Sequence, residues 1–235
     1  MKMSYVVITG ASRGIGYAIA EVFAQNGYNL CITSRNDFKL YKAMETLQTK
    51  YPDIDIRAKA FDLSTKELAT AFGAWCLSYC NPEILINNAG LFESGKVSGK
   101  AEGVLENQMA TNLYSAYYVT STVLPVMIQN GAGHIFNICS IASLQAYPNG
   151  SLYGISKYAL HGFSTNLREE LRQHHIKVTS VFPGAVHTDS WEGFDNSEKR
   201  IMEATDVAQM IFTASQLSEA ACVEDIVLRP QHGDL

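Results

Sequence analysis

Apolar positions along the chain gather into seven short runs, Tyr5–Thr9, Asn29–Thr33, Asp55–Asp62, Ile84–Asn87, His134–Cys139, Lys177–Phe182 and Asp225–Leu228. Most carry no polar alternation, the pattern of strands covered on both faces. Between them apolar residues recur every three or four positions, which predicts helices. One runs from Gly14 to Gly27, where a glycine suits the left-handed residue after a helix. Another covers Asn36 to Lys50, before Pro52. A third follows Ser64, read as an N-cap because Glu67 stands three residues on. Two long helices are predicted over Ala101–Gln129 and Leu152–Gln173. In the second, Leu152, Ile155, Ala159, Phe163, Leu167 and Leu171 form one apolar stripe, read as core packing, with a neighbouring face open to a helix–helix contact. Strand–helix alternation without repeat or linker predicts one α/β domain over residues 1–235, a parallel sheet wound with helices on both faces. In such sheets ligands bind beyond the carboxyl ends of the strands.

Composition narrows the classes. The 235 residues are 47% hydrophobic and 17% charged, ordinary for a folded domain. Net charge is −5, and no basic stripe suggests a nucleic-acid partner. The longest basic cluster, Arg168 to Lys177, is interrupted by Glu169 and Glu170 and reads as a solvated helix end. No run reaches the roughly 18 apolar residues of a membrane span. Gly10 ends the first apolar run without a cleavage pattern, so the expected location is the cytoplasm, with no membrane partner. The cysteines at 31, 76, 80, 139 and 222 lack a second ligand pair, so they are expected to be buried reduced thiols, with no metal site.

The first strand enters Thr9-Gly10-Ala11-Ser12-Arg13-Gly14-Ile15-Gly16. A glycine turn between strand and helix brings backbone N–H groups and the positive helix end to a pyrophosphate. This predicts a dinucleotide site. The second strand ends Thr33-Ser34-Arg35, where a site for an unphosphorylated ribose usually has an acid. Arg35, with Arg13, suits a 2′-phosphate and points to NADP(H) over NAD(H); Asp37 nearby points the other way. Asp62, followed by Leu63, reads either as an acceptor for the adenine amino group or as a cap for the next helix. Asn88-Ala89-Gly90 after Asn87 reads as small residues lying against the cofactor, or as a plain turn.

Tyr153 and Lys157 lie four apart on a predicted helix and share a face. An ammonium about 5 Å from a phenol, at an effective dielectric of about 20, favours tyrosinate by roughly 3 kcal/mol, enough to lower its pKa by about 2. The pair can therefore act as an acid/base group near neutral pH. Ser140 ends the fifth strand, placed to hold a substrate oxygen, and Asn112 is a polar residue inside a long helix, suited to hold a water that links Lys157 to solvent.

Taken in order, Thr9-Gly10-x-x-x-Gly14-x-Gly16, Asp62, Asn87-Asn88-Ala89-Gly90, Asn112, Ser140, Tyr153-x-x-x-Lys157 and Pro183-Gly184-x-Val186-x-Thr188 resemble the short-chain dehydrogenase/reductase family, in its single-domain, NADP-preferring branch. The resemblance implies a Rossmann-type doubly wound sheet of seven parallel strands ordered 3-2-1-4-5-6-7. It implies that Ser12, Ile15 and Leu63 join the cofactor residues, that Lys157 bonds the nicotinamide ribose, and that Pro183, Gly184, Val186 and Thr188 border the nicotinamide. It implies that Ser140 steadies the substrate oxygen, Tyr153 exchanges the proton and Asn112 completes a proton relay. It also implies a homodimer or homotetramer through the two long helices.

Substrate choice is expected from Leu91–Gly99, Ile141–Asn149 and Ala185–Met202, the last a lid over about 185–202. Ser140, Ser143, Leu144, Tyr147, Trp191 and Phe194 are the candidate contacts. The tail Gln231-His232-Gly233-Asp234-Leu235 departs from the glycine-rich end of fatty-acid 3-oxoacyl reductases, though length and tail are similar to small reductases of the 3-oxoacyl or sepiapterin type. The leading expectation is an NADP(H)-dependent reductase of a small carbonyl compound. An NAD-dependent alcohol dehydrogenase and a non-catalytic dinucleotide sensor are the alternatives.

Overall fold

The computed structural model describes residues 4–99, 102–146, 150–188, 195–196 and 200–233. Seven strands form one sheet in the order β3-β2-β1-β4-β5-β6-β7, and every neighbouring pair is parallel. The strands are β1 (Tyr5–Thr9), β2 (Asn29–Thr33), β3 (Ile56–Ala58), β4 (Pro82–Asn87), β5 (Gly133–Ile138), β6 (Ile176–Pro183) and β7 (Asp225–Leu228). β3 is shorter than the Asp55–Asp62 run, because at the sheet edge only Ile56, Arg57 and Ala58 find partners on β2.

The helices are α1 (Gly14–Gln25), α2 (Asp37–Lys50), α3 (Lys66–Leu77), α4 (Val104–Met109), α5 (Ser115–Asn130), α6 (Ser151–Leu171) and α7 (Ala204–Ser215). The apolar runs split residue by residue between two cores. Val6, Ile8, Ile84 and Ile86 pack with Ile19, Phe23, Leu40 and Ile211 of α1, α2 and α7. Val7 and Leu85 face the other way, onto Phe72, Val119, Val123 and Leu167 of α3, α5 and α6. A run with no polar alternation thus still obeys the two-residue period of a strand, since both faces are apolar.

Four expectations are corrected. Thr65, not Ser64, caps α3, its hydroxyl accepting from the Leu68 N–H at 3.3 Å. The helix expected over 101–129 is interrupted between α4 and α5 by a wide π-type turn, Ala110–Tyr114. That turn sits where Asn112 bonds both backbone groups of Leu91, and an inserted residue of this kind commonly re-aims a side chain at a site. The buried face of α6 runs through Leu152, Ser156, Leu160, Ser164, Leu167 and Leu171, leaving Ile155 exposed. Buried serines are tolerated there because Ser164 accepts from the Asn137 amide at 2.7 Å and donates to the Leu160 carbonyl. Arg168 is no solvated helix end. It is largely buried, donates to the Val178 carbonyl at 2.8 Å and pairs with Glu224 and Asp225, tying α6 to β6 and β7.

Cys31, Cys76, Cys80 and Cys139 are buried thiols as expected, whereas Cys222 is exposed. Burial pushes the Cys139 thiol up to about 12, so it is protonated and unreactive at neutral pH. Among the described residues no helix is long and apolar enough to cross a membrane, and no group of His, Cys, Asp and Glu can hold a metal ion.

Candidate functional site

A cleft of about 810 Å³ opens beyond the carboxyl ends of β1, β2, β4 and β5. Along one end the β1–α1 turn presents Gly10, Ser12, Arg13, Gly14, Ile15 and Gly16. A Cβ on Gly16 would lie 2.3 Å from the Gly10 carbonyl oxygen, so only glycine lets α1 start this close to the turn. The N-cap residue of α1 is Arg13, whose side chain makes no capping bond, and the first turn carries no acid. The first N–H groups and the positive end of α1 are thus left to an anion. This local arrangement fits a pyrophosphate.

Beside it lie Ser34, Arg35, Asn36 and Lys39. Asn36 caps α2, its side-chain oxygen accepting from the Lys39 N–H at 2.8 Å. Asp37 does not line the cleft. Its carboxylate accepts from the adjacent Phe38 N–H at 2.7 Å. The acid weighed from sequence therefore faces away, and three cations from β1–α1 and β2–α2 border this end. Asp62 and Leu63 also line it, with Asp62 accepting from the Ser64 N–H at 3.1 Å. Asp62 is not the cap of α3, which is Thr65; its carboxylate orders the approach to that helix and borders the cleft.

Thr9 joins the glycine turn to the β4 end. Its hydroxyl accepts from the N–H groups of Asn88 and Ala89, both at 2.9 Å. The Asn88 amide donates back to the carbonyls of Thr9 and Gly10 at 2.9 and 3.0 Å. Asn88-Ala89-Gly90 is therefore more than a turn; it is a strut that holds the turn against β4, and all three residues line the cleft.

At the other end Ser140, Tyr153 and Lys157 meet, with Pro183, Gly184, Val186 and Thr188 of the β6 end alongside. Lys157 is buried and donates to the Ile138 carbonyl at 2.8 Å, its ammonium 5.7 Å from the centre of the Tyr153 ring. Burial pulls Lys157 down to about 8. Burial pushes Tyr153 up to about 12, against a smaller lowering by its hydrogen bond with Ser140. The expected lowering of Tyr153 by Lys157 is not found; loss of water on burial is the largest influence on the phenol and raises it. Asn112 is buried below this group. Its amide oxygen accepts from the Leu91 N–H at 2.7 Å, and its nitrogen donates to the Leu91 carbonyl at 3.0 Å and the Ser156 hydroxyl at 2.8 Å.

Two substrate candidates fall outside the cleft. Ser143 is buried, its hydroxyl accepting from the Ser140 N–H at 3.2 Å as part of a reciprocal cap on the short turn Ile141–Ser143. Leu144 points elsewhere and is exposed. Tyr147, Trp191 and Phe194 lie outside the described residues. The base of the 185–202 segment is pinned by a parallel bridge between Val186 and Met202. Lys39, Phe92, Thr111 and Gln145 line the cleft without having been singled out. Lys39 stands four residues beyond Arg35, a detectable signal; Phe92 and Gln145 fall in the segments expected to choose the substrate, Leu91–Gly99 and Ile141–Asn149, but nothing in sequence picks them out within those segments.

The model of the short chain dehydrogenase family matches residues 4–199. The chain belongs to that family and is an oxidoreductase acting on CH–OH groups with a nicotinamide dinucleotide. It is 29% identical over 233 residues to an uncharacterized oxidoreductase of Staphylococcus epidermidis, covering 98% of each chain. It is similar to the alcohol dehydrogenase of the archaeon Thermococcus sibiricus solved with 5-hydroxy-NADP, with TM-score 0.90, 25% identity and coverage of 100% and 99% of the two chains. It is also similar to a metagenomic short-chain oxidoreductase solved with NADP, with TM-score 0.84, 29% identity and coverage of 97% of each.

Proposed function

We propose that this protein is an NADP(H)-dependent carbonyl reductase of a small molecule, with Tyr153 as proton donor. The observation that carries the reading is the single cleft that joins an uncapped helix end, three bordering cations and the Ser140–Tyr153–Lys157 group. The cations Arg13, Arg35 and Lys39 suit a 2′-phosphate, so NADP(H) is preferred over NAD(H). The NADP in the two solved relatives agrees with this.

A nicotinamide held by Lys157, Pro183, Gly184, Val186 and Thr188 would supply the hydride that reduces the carbonyl carbon. Ser140 donates a hydrogen bond to the carbonyl oxygen and orients it. Tyr153 gives its proton to that oxygen as the C=O π bond is lost, leaving an alcohol. A tyrosine held up to about 12 is protonated at neutral pH, the form that reduction needs. Lys157 holds the ribose and returns a proton towards Tyr153, and Asn112 keeps this end of the relay in place. The outer face of α5 and α6 leaves Tyr117, Ile155 and Tyr158 exposed and is assigned to a homodimer contact.

Titrating the protein with NADPH and NADH, following binding by cofactor fluorescence, and then screening carbonyl compounds tests the reading. Tighter binding of NADPH by at least about tenfold is expected, from two or more charge-assisted contacts. Equal affinity would remove the cofactor assignment. Light scattering of the purified protein tests the dimer.

A further inference from the structure

Phe92 is an exposed aromatic held in place. It is 51% exposed, yet its ring meets Tyr153 edge-on with centroids 5.1 Å apart, and it lines the cleft. The preceding Leu91 has both backbone groups bonded to Asn112, at 2.7 and 3.0 Å. Three residues on, Gly95 packs so closely on α6 that a Cβ would lie 2.7 Å from Leu152 Cδ1, next to Tyr153 in sequence. The chain is thus fastened on either side of the ring, which meets Tyr153 and leaves about half its surface open in the cleft. A fixed apolar ring recovers burial when a ligand covers it, without losing side-chain freedom.

The described walls around it are neutral. Leu91, Ile141, Ala142, Gln145, Ala185 and Val186 line this end. The described charged groups of the cleft lie elsewhere. Arg13, Arg35, Lys39 and Asp62 border the β1–β2–β3 end, and Lys157 is buried with its ammonium on the Ile138 carbonyl. Among the described residues that line the cleft, none offers a cation at this end to a carboxylate or phosphate, which would lose water there. Gln145 offers a neutral donor and acceptor instead.

Resting on the reductase reading above, we infer that the substrates are neutral carbonyl compounds with a ring next to the carbonyl, which Phe92 covers, and that Gln145 contributes a neutral polar wall beside it. The test uses the full-length protein with NADPH and three matched compounds: an aryl methyl ketone, its para-carboxylate and a straight-chain methyl ketone of equal carbon number. The aryl ketone is expected to exceed both others in kcat/KM by about tenfold or more, the scale of covering one apolar face. Phe92→Ala should raise its KM about tenfold and collapse its advantage over the straight-chain ketone, and Phe92→Tyr should restore it. Gln145→Lys should improve the para-carboxylate several-fold. Wild-type turnover that favours the carboxylate, or an aryl advantage that survives Phe92→Ala in a protein of unchanged melting temperature, would overturn the inference and leave the reductase reading standing. NADPH binding without turnover of any of the three would overturn both.

Discussion

At the β1–β2–β3 end of the cleft, the bordering groups are backbone and side chains from short, contiguous segments: the turn from Gly10 to Gly16 and the stretch from Ser34 to Lys39. At the β4–β5 end, Ser140 follows β5, Tyr153 and Lys157 stand on α6, Asn112 lies in the π-type turn and Phe92 follows β4; hydrogen bonds fasten Asn112 to Leu91 and Ser156 and Lys157 to Ile138, and Phe92 meets Tyr153 ring to ring. The first end needs an open helix terminus and surface cations, which a local sequence supplies. The second needs desolvation, which only assembly supplies. The contrast shows in the titrating groups: Tyr153 and Lys157 are pushed in opposite directions by one cause, burial.

The contrast can be broken at either end. Tyr153→Phe keeps the packing and removes the proton donor. Carbonyl reduction should fall by about 100-fold or more, with NADPH affinity within a few-fold of wild type; residual reduction near the wild-type rate would dismiss Tyr153 as donor. Gly16→Val should act oppositely. Its side chain meets the Gly10 carbonyl, so NADPH binding should weaken and stability should drop by about 1–3 kcal/mol of overpacking strain, measured by fluorescence titration and chemical denaturation.

Removing the cations tests the first end alone. Arg35→Ala should reduce the NADPH-over-NADH preference by about tenfold, the loss of one charge-assisted contact, and should leave NADH binding nearly unchanged. A similar loss for both cofactors would show that Arg35 serves packing rather than the phosphate.

The smallest effects are in pH. Lys157 gives up its proton near pH 8, whereas Tyr153 stays protonated to about 12, so NADPH-driven reduction should decline above about pH 8 through the lysine. Far from the cleft, burial, and secondarily Lys177, pulls His134 down to about 3. Its ring bonds Thr179 through Nε2 at 2.7 Å, and Nδ1 finds no hydrogen-bond partner among the described residues. Below an unfolded pKa near 6.5 the unfolded chain binds the proton and the folded one does not, so stability should fall with acidification between about 6.5 and 3. The limiting slope is roughly 1.4 kcal/mol per pH unit. His134→Gln should flatten that limb in urea titrations at a series of pH values; an unchanged limb would assign it to other groups.

Much of the fold was legible because a strand buried on both faces must be apolar along its length, so β1 and β2 begin and end where the apolar runs do. The glycine turn was legible for a related reason: its demands are on the backbone, and glycine is the residue that meets them. Asn112, Tyr153 and Lys157 were identified by residue type and spacing, but their surroundings were not. Ser143 shows the limit, since a hydroxyl three residues from Ser140 can face a ligand or turn back to cap its own loop, and here it does the second.

By itself, the sequence determined the alternation of strands and helices, the phosphate-suited turn, the cations around it and the spacing of the tyrosine–lysine pair. These depend on periodicity, local geometry and charge, all of which are written along the chain. The tertiary structure alone decided that Asp37 turns from the cleft, that a π-type turn carries Asn112 to Leu91, that Phe92 stands against Tyr153, and that burial raises the tyrosine. These depend on which distant residues exclude water from one another, and loss of solvent is set by the packed molecule, not by position along the chain.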